Sequence, residues 1–155
     1  MNKNEEVIRK LYSALQRVDH EDMIRCYHPE AIFKDPVFDL RSKKEITGMW
    51  TMLCKKAKEF EFHYDQVQAN EEEGKAQIKA KYLFTQTNRM VVNKIDARFK
   101  FKNGLIIEHI DSFDFWIWSW QALGFFGLIL GWSSFLQKKV QQKAYNNMKT
   151  FIPRF

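Results

Sequence analysis

Apolar residues recur at helical spacing through the first third of the chain, which predicts amphipathic helices. The first helix is expected at about 4–18, and its buried stripe is Val7, Leu11, Ala14, Leu15 and Val18. Asp19 is a typical N-cap for a second, short helix, which should end before Pro29. The apolar residues of that second helix are Met23, Ile24 and Tyr27.

A short extended segment, 31–37, and a third helix follow. Ser42 and Glu45 form a capping box, because each side chain can reach the other's backbone N–H. The apolar stripe of the third helix is Ile46, Met49, Trp50, Leu53 and Ala57.

From Phe60 onwards the period of the pattern changes to two, which predicts strands. The expected strands are 60–69, 75–87, 91–102 and 105–115. One face of the second strand is apolar while its other face carries Lys and Gln, so we expect an antiparallel sheet that is covered on one side. Helices followed by a strand meander indicate an α+β fold.

The register of the last hairpin depends on the length of its loop. A two-residue turn at Asn103-Gly104 would place apolar Phe99 opposite Glu108. A three-residue loop, 102–104, gives one apolar face, and we predict it for that reason. The predicted pairs are Phe101 with Leu105, Phe99 with Ile107, Ala97 with His109 and Ile95 with Asp111.

The segment 115–137 has no charged residue but contains three glycines, at 124, 127 and 131. We predict two helices, about 115–123 and 128–150, and divide the chain into a domain at 1–115 and a helical extension at 116–155. The extension could pack on the domain or form a dimer interface. Contact with a membrane surface and a membrane-spanning helix are the alternatives.

The 155 residues are 45% hydrophobic and 15% aromatic and carry a net charge of +6, composition typical of one globular domain. Basic residues are spread along the chain and no nucleic-acid-binding motif occurs, so no nucleic-acid partner is predicted. The two cysteines form no CxxC motif, and the N-terminus has no apolar signal core, so we expect a cytoplasmic protein without a disulfide framework or zinc site.

Three residues are candidates for chemistry. Asp35 precedes Pro36 at the end of the extended segment, where it could be a base in an apolar cavity or the cap of a turn. His109 and Asp111 share the covered face of the last strand. Because buried polar groups are costly without partners, they could form an acid/base pair or satisfy each other structurally.

Two segments carry a resemblance to a known superfamily. The stretch 11–37, with Asp35-Pro-Val, resembles the opening of ketosteroid isomerases, and 103–111 resembles the Gly-x-Ile-x-Glu-His-Trp-Asp segment of SnoaL-type polyketide cyclases. The resemblance covers about 4–115 and implies an NTF2-like cone, three helices on a curved antiparallel sheet. It also implies that Asp35 is a general base and Asp111 an acid/base residue.

The chain departs from these families at several positions. Leu11 stands where the isomerases have an oxyanion-hole Tyr, Ala97 falls at the inward position of their second donor, and Ile110 replaces the cyclase Trp. The side chains expected to line the pocket are Tyr12, Trp50, Tyr82, Phe84, Ala97, Phe99 and Phe113.

The expected function is binding of a small, largely apolar molecule in the cone. Isomerase- or cyclase-type proton transfer by Asp35 or Asp111, with His109 as proton donor or orienter, is the chemistry it suggests, without a metal or organic cofactor. The alternatives are a non-catalytic carrier or a dimeric interaction module, and a peripheral membrane protein. A homodimer through the outer sheet face is expected from the resemblance alone.

Overall fold

The computed structural model describes residues 2–154. The helices within this range are α1 (Lys3–Gln16), α2 (His20–Ile24), α3 (Lys43–Lys56), α4 (Phe115–Leu123), α5 (Phe125–Leu130) and α6 (Ser134–Met148). The strands are β1 (Tyr27–Lys34), β2 (Asp39–Leu40), β3 (Glu61–Ala69), β4 (Glu73–Phe84), β5 (Arg89–Lys102) and β6 (Leu105–Ser112). This is the predicted α+β fold: helices on a curved, unclosed sheet.

All six strands lie in one sheet, in the order β2-β1-β6-β5-β4-β3. The predicted antiparallel pairing holds for β3 to β6, but β1 and β6 run parallel, so the expectation of a wholly antiparallel sheet is wrong at this position. A parallel pair needs a long connection, and here α3 and four strands, β2 to β5, lie between the two partners in the chain.

Both predicted N-caps are confirmed, but the second bond of the capping box is displaced by one residue, since the Glu45 carboxylate accepts from the Arg41 N–H at 3.0 Å. Asp19 accepts a hydrogen bond from the Asp22 N–H at 3.1 Å, and the Ser42 hydroxyl accepts one from the Glu45 N–H at 3.2 Å. The prediction that Tyr27 is helical is wrong, because it is the first residue of β1 and lies opposite Ile106 of β6. Pairing with β6 decides its conformation, and that partner is about eighty residues away.

The β5–β6 hairpin has a two-residue turn rather than the predicted three-residue loop. Asn103 and Gly104 both have positive φ, 54° and 77°, which is the backbone of the turn that best matches strand twist. A bulge at Ile107 then shifts the register by one residue. Phe99 therefore lies opposite His109, and Ala97 lies opposite Asp111.

Beyond the bulge the predicted faces are nevertheless correct, because the register there differs from the predicted one by two residues, which is the side-chain period of a strand. Between the turn and the bulge the prediction is wrong: Ile106 is fully buried opposite Phe101, whereas Leu105 and Ile107, predicted on the covered face, are only partly buried. Ala97, Phe99, His109 and Asp111 are buried, whereas Lys94, Asp96, Arg98, Lys100 and Lys102 are exposed.

The core lies between the concave face of the sheet and the helices α1 and α3. Its largest fully buried side chains include four aromatic rings, from Tyr12, Tyr27, Phe33 and Phe99. They fill the closed end of the cone with rigid apolar surface.

Within the described residues, the C-terminal extension forms three α-helices rather than two, and a short 3-10 helix, Lys149–Phe151, follows α6. The chain breaks at Gly124, as predicted, where φ is 66°, and again near Gly131. The Gln121 side chain fixes α4 to β5 by two hydrogen bonds with the Val92 backbone, at 2.8 and 3.0 Å. In residues 2–154, none of the helices has the length and apolarity needed to cross a bilayer.

Helix α6 returns along the body of the domain. Gln137 and Gln141 each donate a hydrogen bond to the Pro36 carbonyl at 3.0 Å, and Met148 is fully buried against α3. The extension therefore holds the loop that carries Asp35.

Candidate functional site

A chain of hydrogen bonds crosses the core and joins four of its polar side chains. The Trp50 indole N–H lies 3.1 Å from the Tyr27 hydroxyl, which lies 2.8 Å from Nδ1 of His109. Nε2 of His109 lies 2.8 Å from Oδ1 of Asp111. His109 is 0% exposed, so both ring nitrogens are used by the protein itself.

The direction of this chain can be assigned from the donors. The Trp50 indole can only donate, so the Tyr27 oxygen accepts from it. The Tyr27 hydrogen then finds its acceptor at Nδ1 of His109, since burial makes an unpaired donor costly. The proton of a neutral His109 is thereby assigned to Nε2, which donates to Asp111.

Aromatic rings fix the His109 imidazole in place. Its ring centroid is 4.8 Å from that of Phe33 on β1 and 4.4 Å from that of Phe99 on β5. Phe33 faces His109 because it is its partner in the parallel β1–β6 pair. This packing leaves the imidazole no freedom to turn towards a ligand.

Asp35 lies in the loop between β1 and β2 and is partly buried. Its Oδ1 accepts hydrogen bonds from the backbone N–H groups of Val37 and Phe38, at 2.7 and 2.6 Å. Within residues 2–154 no hydrogen bond engages Oδ2. Burial, aided by the negative charge of Asp111, raises the pKa of Asp35 to about 7, against the lowering effect of the two N–H groups.

Asp35 also lines a cleft of about 550 Å³ between its own loop and α6. The opposite wall is formed by α6 residues, including Lys138, Gln141 and Tyr145.

Two tyrosine hydroxyls lie near the carboxylates. The Tyr12 hydroxyl is buried and has no hydrogen-bond partner among the described residues. Burial, followed by the charge of Asp111, raises the pKa of Tyr12 well above its usual range. The Tyr82 hydroxyl accepts from the Trp118 indole at 2.8 Å, and burial raises the pKa of Tyr82 to about 12, with a smaller contribution from the Asp35 charge.

The residues predicted to line the pocket fall into two groups. Tyr12, Trp50, Ala97 and Phe99 belong to the main core. Phe84 and Phe113 pack against a second cluster, formed by Val91 of β5 and by Phe115, Trp118 and Ala122 of α4, and Tyr82 packs against both clusters.

Sequence reasoning missed two polar residues of this region. Because the sequence pattern predicts a helix at Tyr27, it does not predict the contact of Tyr27 with His109. A Tyr shortly before the predicted extended segment 31–37 was the one signal of it. Asn93 lies on the inner face of β5, opposite Ala80, and is 8% exposed. It was overlooked although it is the polar exception on the apolar face of its strand.

The described residues contain another cleft, of about 620 Å³, that is remote from these groups. It is lined by outer-face residues such as Arg98, Lys100 and Glu108 and by the N-terminal part of α1. It contains neither Asp35 nor Asp111. Within residues 2–154 no cluster of three or more His, Cys, Asp or Glu side chains could hold a metal ion.

Similar solved structures share this fold at low sequence identity. An NTF2-like protein from Burkholderia thailandensis has a TM-score of 0.68 and 16% identity, over 79% of this chain and 98% of that chain. An LEH-like epoxide hydrolase from M. tuberculosis has a TM-score of 0.66 and 15% identity, over 83% and 93%. A protein with a ketosteroid isomerase-like fold from Catenulispora acidiphila, solved with trimethylamine, has a TM-score of 0.65 and 7% identity, over 76% and 92%.

Comparison with curated proteins gives no match. The family model of the SnoaL-like domain matches residues 8–109, about two thirds of the chain. That range includes Asp35 and His109, and Asp111 lies two residues beyond it. The fold and the family model agree, and the chain belongs to the SnoaL-like domain family.

Proposed function

We propose that the protein binds a small carbonyl compound with an apolar body inside the cone and moves a proton at the carbon next to the carbonyl. Asp35 is the base. The observation that carries this proposal is the state of its carboxylate: one oxygen is fixed by two backbone N–H groups, the other is free, and the pKa is about 7.

A base of this kind is suited to a weak carbon acid. General bases work best when their pKa lies near the working pH, because the group is then ionised and still strongly basic. The two N–H groups hold Asp35 in one orientation, so little reorganisation is needed when the proton arrives.

The proposed reaction moves a proton from one carbon of the substrate to another. Asp35 removes a proton from the carbon next to the carbonyl, and the electron pair of that C–H bond moves to the carbonyl oxygen to form an enolate. The same proton is then returned at another carbon, the enolate collapses to the carbonyl, and the carboxylate is regenerated. The reaction therefore needs no co-reactant.

The enolate oxygen requires a hydrogen-bond donor. The Tyr12 hydroxyl supports such a role, because it is buried beside Asp111 and has no partner within residues 2–154. Tyr12 is the residue after Leu11, the position at which the isomerases have their donor. Donors placed for a developing oxyanion often account for a hundredfold or more in rate.

His109 and Asp111 support the site as a unit in this proposal. Both nitrogens of His109 are engaged and the ring is enclosed by Phe33 and Phe99, which favours orientation of Asp111 over direct proton donation. Asp111 is the second candidate base, since only its Oδ1 is held by His109.

A β,γ-unsaturated ketone, 3-cyclohexen-1-one, tests the proposal directly. Its isomerisation to the conjugated ketone increases ultraviolet absorbance, and in deuterated water NMR detects exchange at the carbon next to the carbonyl. We expect turnover that rises with pH through about 7, as Asp35 ionises. Asp35→Asn should abolish it, because the amide keeps the shape and loses the base.

The matched control is Asp96→Asn, which removes an exposed carboxylate from the outer face of β5. Its turnover should equal that of the unmodified protein. Full activity of Asp35→Asn would overturn the assignment of the base. Absence of both isomerisation and exchange in the unmodified protein would overturn proton transfer with this class of substrate.

A non-catalytic carrier is the second candidate, and the dense packing around His109 favours it. Four aromatic side chains fill the closed end of the cone, and the Trp50–Tyr27–His109–Asp111 chain satisfies its own polar groups. A carrier would bind an enolate mimic such as 2-naphthol, measured by its fluorescence, without any turnover of the ketone.

The homodimer through the outer sheet face stays a prediction. The charges of that face oppose it, because Lys79 lies opposite Lys94 and Lys75 lies opposite Arg98 in the β4–β5 pair. Two such faces would repel each other at low ionic strength. Sedimentation velocity at low and high salt measures whether the protein dimerises and whether salt favours the dimer.

A further inference from the structure

The helices α4 and α5 and the start of α6 form a large exposed apolar surface, which we call the apolar tip. Ordinary monomers rarely expose a contiguous apolar patch of this kind without a function. Phe125 and Phe126 are each 70% exposed and Trp132 is 78% exposed. The other exposed large side chains are Trp116, Ile117, Trp120, Leu128, Ile129, Leu130 and Phe135.

The apolar tip is held firmly to the domain. Gly127 and Gly131 allow α5 to lie directly against Ser119 of α4, since a Cβ on either glycine would collide with that residue. The Trp116 indole donates to the Leu128 carbonyl at 3.1 Å. On the sheet side, the Arg89 side chain donates to the Gln121 carbonyl at 2.8 Å. These contacts present the apolar side chains outwards on a fixed support.

The shape of the tip favours contact with lipid over contact with a second protein. At 100° per residue, the five exposed side chains of α5 cover more than half of its circumference, and the sixth residue, Gly127, is buried against Ser119 of α4. A protein partner covers one face of a helix. A lipid layer surrounds a protruding helix on every exposed side.

The composition of the tip matches the interface of a bilayer. Its most exposed residues are Trp and Phe, and aromatic side chains are enriched at the level of lipid headgroups. No charged residue occurs from 115 to 137, and Lys138, Lys139 and Lys143 follow at once, all exposed. The Lys139 ammonium lies 4.7 Å from the centroid of the Phe135 ring, so charge and apolar surface meet at this edge.

We propose that the apolar tip inserts into the headgroup region of an anionic bilayer, with Lys138, Lys139 and Lys143 on the lipid phosphates and carboxylates. Helix α5 has six residues, far fewer than the 20 or so needed to span a bilayer, so the protein lies on the surface. This inference is independent of the chemistry proposed for Asp35.

Vesicle co-sedimentation of the full chain tests the proposal. The probes are vesicles of phosphatidylcholine with 30% phosphatidylserine and vesicles of phosphatidylcholine alone, because basic residues near a membrane are attracted to anionic lipids. We expect binding to the anionic vesicles that is at least tenfold tighter than to the neutral ones. Brominated acyl chains should quench the fluorescence of Trp132.

Two variants separate the apolar and electrostatic contributions. The combination Phe125→Ser, Phe126→Ser and Trp132→Ser should lower the partition coefficient at least tenfold, while Leu53→Ser, which changes an exposed apolar residue on α3, should not. Charge reversal of Lys138, Lys139 and Lys143 to Glu should remove the preference for anionic vesicles. The same reversal of Lys79, Lys81 and Lys94, exposed on the sheet, should change it far less.

The proposal is overturned if the serine variant binds vesicles as tightly as the unmodified protein, or if neither vesicle is bound. It is also overturned if sedimentation velocity shows a dimer that the serine variant lacks while vesicles remain unbound, because the tip would then be a contact between two copies. Circular dichroism of each variant must match that of the unmodified protein, which is expected because the changed residues are exposed.

Discussion

The hydroxyl of Tyr27 lies 2.8 Å from Nδ1 of His109, across the only parallel strand pair among residues 2–154. Tyr27 is the first residue of β1 and His109 lies near the middle of β6, 82 positions later in the chain. The bond determines which nitrogen of His109 carries the proton, and through it how Asp111 is held. Tyr27, a buried residue of β1, thus determines through His109 how the candidate catalytic carboxylate of Asp111 is held.

Tyr27→Phe should reduce the free energy of unfolding by about 1–3 kcal/mol, because it leaves the Trp50 indole and Nδ1 of His109 buried without partners. Urea denaturation measures the loss. The control is Tyr145→Phe, which removes an exposed hydroxyl bonded to Glu45 and should cost about 0.5 kcal/mol or less. Equal losses in the two variants would contradict the proposed role of the buried chain.

Asp35 should make the protein less stable as the pH rises from about 4 to about 7. Its folded pKa of about 7 lies above its unfolded pKa of 3.8, so the native state binds more protons in that range. Asp35→Asn cannot ionise and should be more stable than the unmodified protein at pH 8, by about 2–4 kcal/mol.

Thermal or urea unfolding between pH 4 and pH 8 measures this difference. The Asp96→Asn variant supplies the control, since an exposed carboxylate should leave the pH dependence unchanged. If the stability of the unmodified protein and of Asp35→Asn varied with pH in parallel, Asp35 would not have a raised pKa.

Tyr12→Phe should lower turnover without lowering the free energy of unfolding. Its hydroxyl has no hydrogen-bond partner within the described residues, so its removal should leave the free energy of unfolding unchanged or slightly raised. Turnover of 3-cyclohexen-1-one should fall tenfold or more if the hydroxyl donates to the enolate oxygen.

Tyr64→Phe is the matched comparison for Tyr12→Phe, since the Tyr64 hydroxyl lies 3.1 Å from the Ser13 hydroxyl. We expect it to lose a little stability and no activity. A Tyr12→Phe variant with full turnover would show that the hydroxyl does not touch the reacting atoms.

Gly127→Ala should destabilise the α4–α5 contact, because its Cβ would collide with the Ser119 carbonyl and the Trp120 N–H, both backbone groups. Forcing such a contact costs about 1–3 kcal/mol. Amide hydrogen exchange at Leu128 and Gly131 measures the opening of α5. Gly104→Ala, in the β5–β6 turn, meets no atom within 4 Å but has positive φ, so it should destabilise the hairpin and leave exchange in α5 unchanged.

Local sequence patterns were sufficient for the elements whose stabilising contacts are local. Asp19 and Ser42 cap their helices as expected, since each side chain bonds to a backbone group three residues away. The alternation along β5 and β6 assigned Phe99, His109 and Asp111 to the buried face even though the pairing was displaced. A displacement of two residues leaves the face of a strand unchanged.

Contacts between residues that are distant in sequence decided the features that the local pattern did not predict. Tyr27 has an apolar helical neighbourhood in sequence, yet the long-range pairing with Ile106 makes it a strand residue and brings it to His109. The bulge at Ile107 cannot be read from the hairpin sequence, because it depends on how β6 fits between β5 and β1.

Composition and short motifs were enough to predict the fold family, the three candidate residues and the uncharged stretch at 115–137, because these features are encoded locally in the sequence. Three-dimensional packing was needed to show that His109 is enclosed, that the Tyr12 hydroxyl has no hydrogen-bond partner within residues 2–154, and that the aromatic side chains at 125, 126 and 132 are exposed. Burial and partnership depend on what lies across the sheet or beyond the next helix, and a linear pattern carries no record of those neighbours.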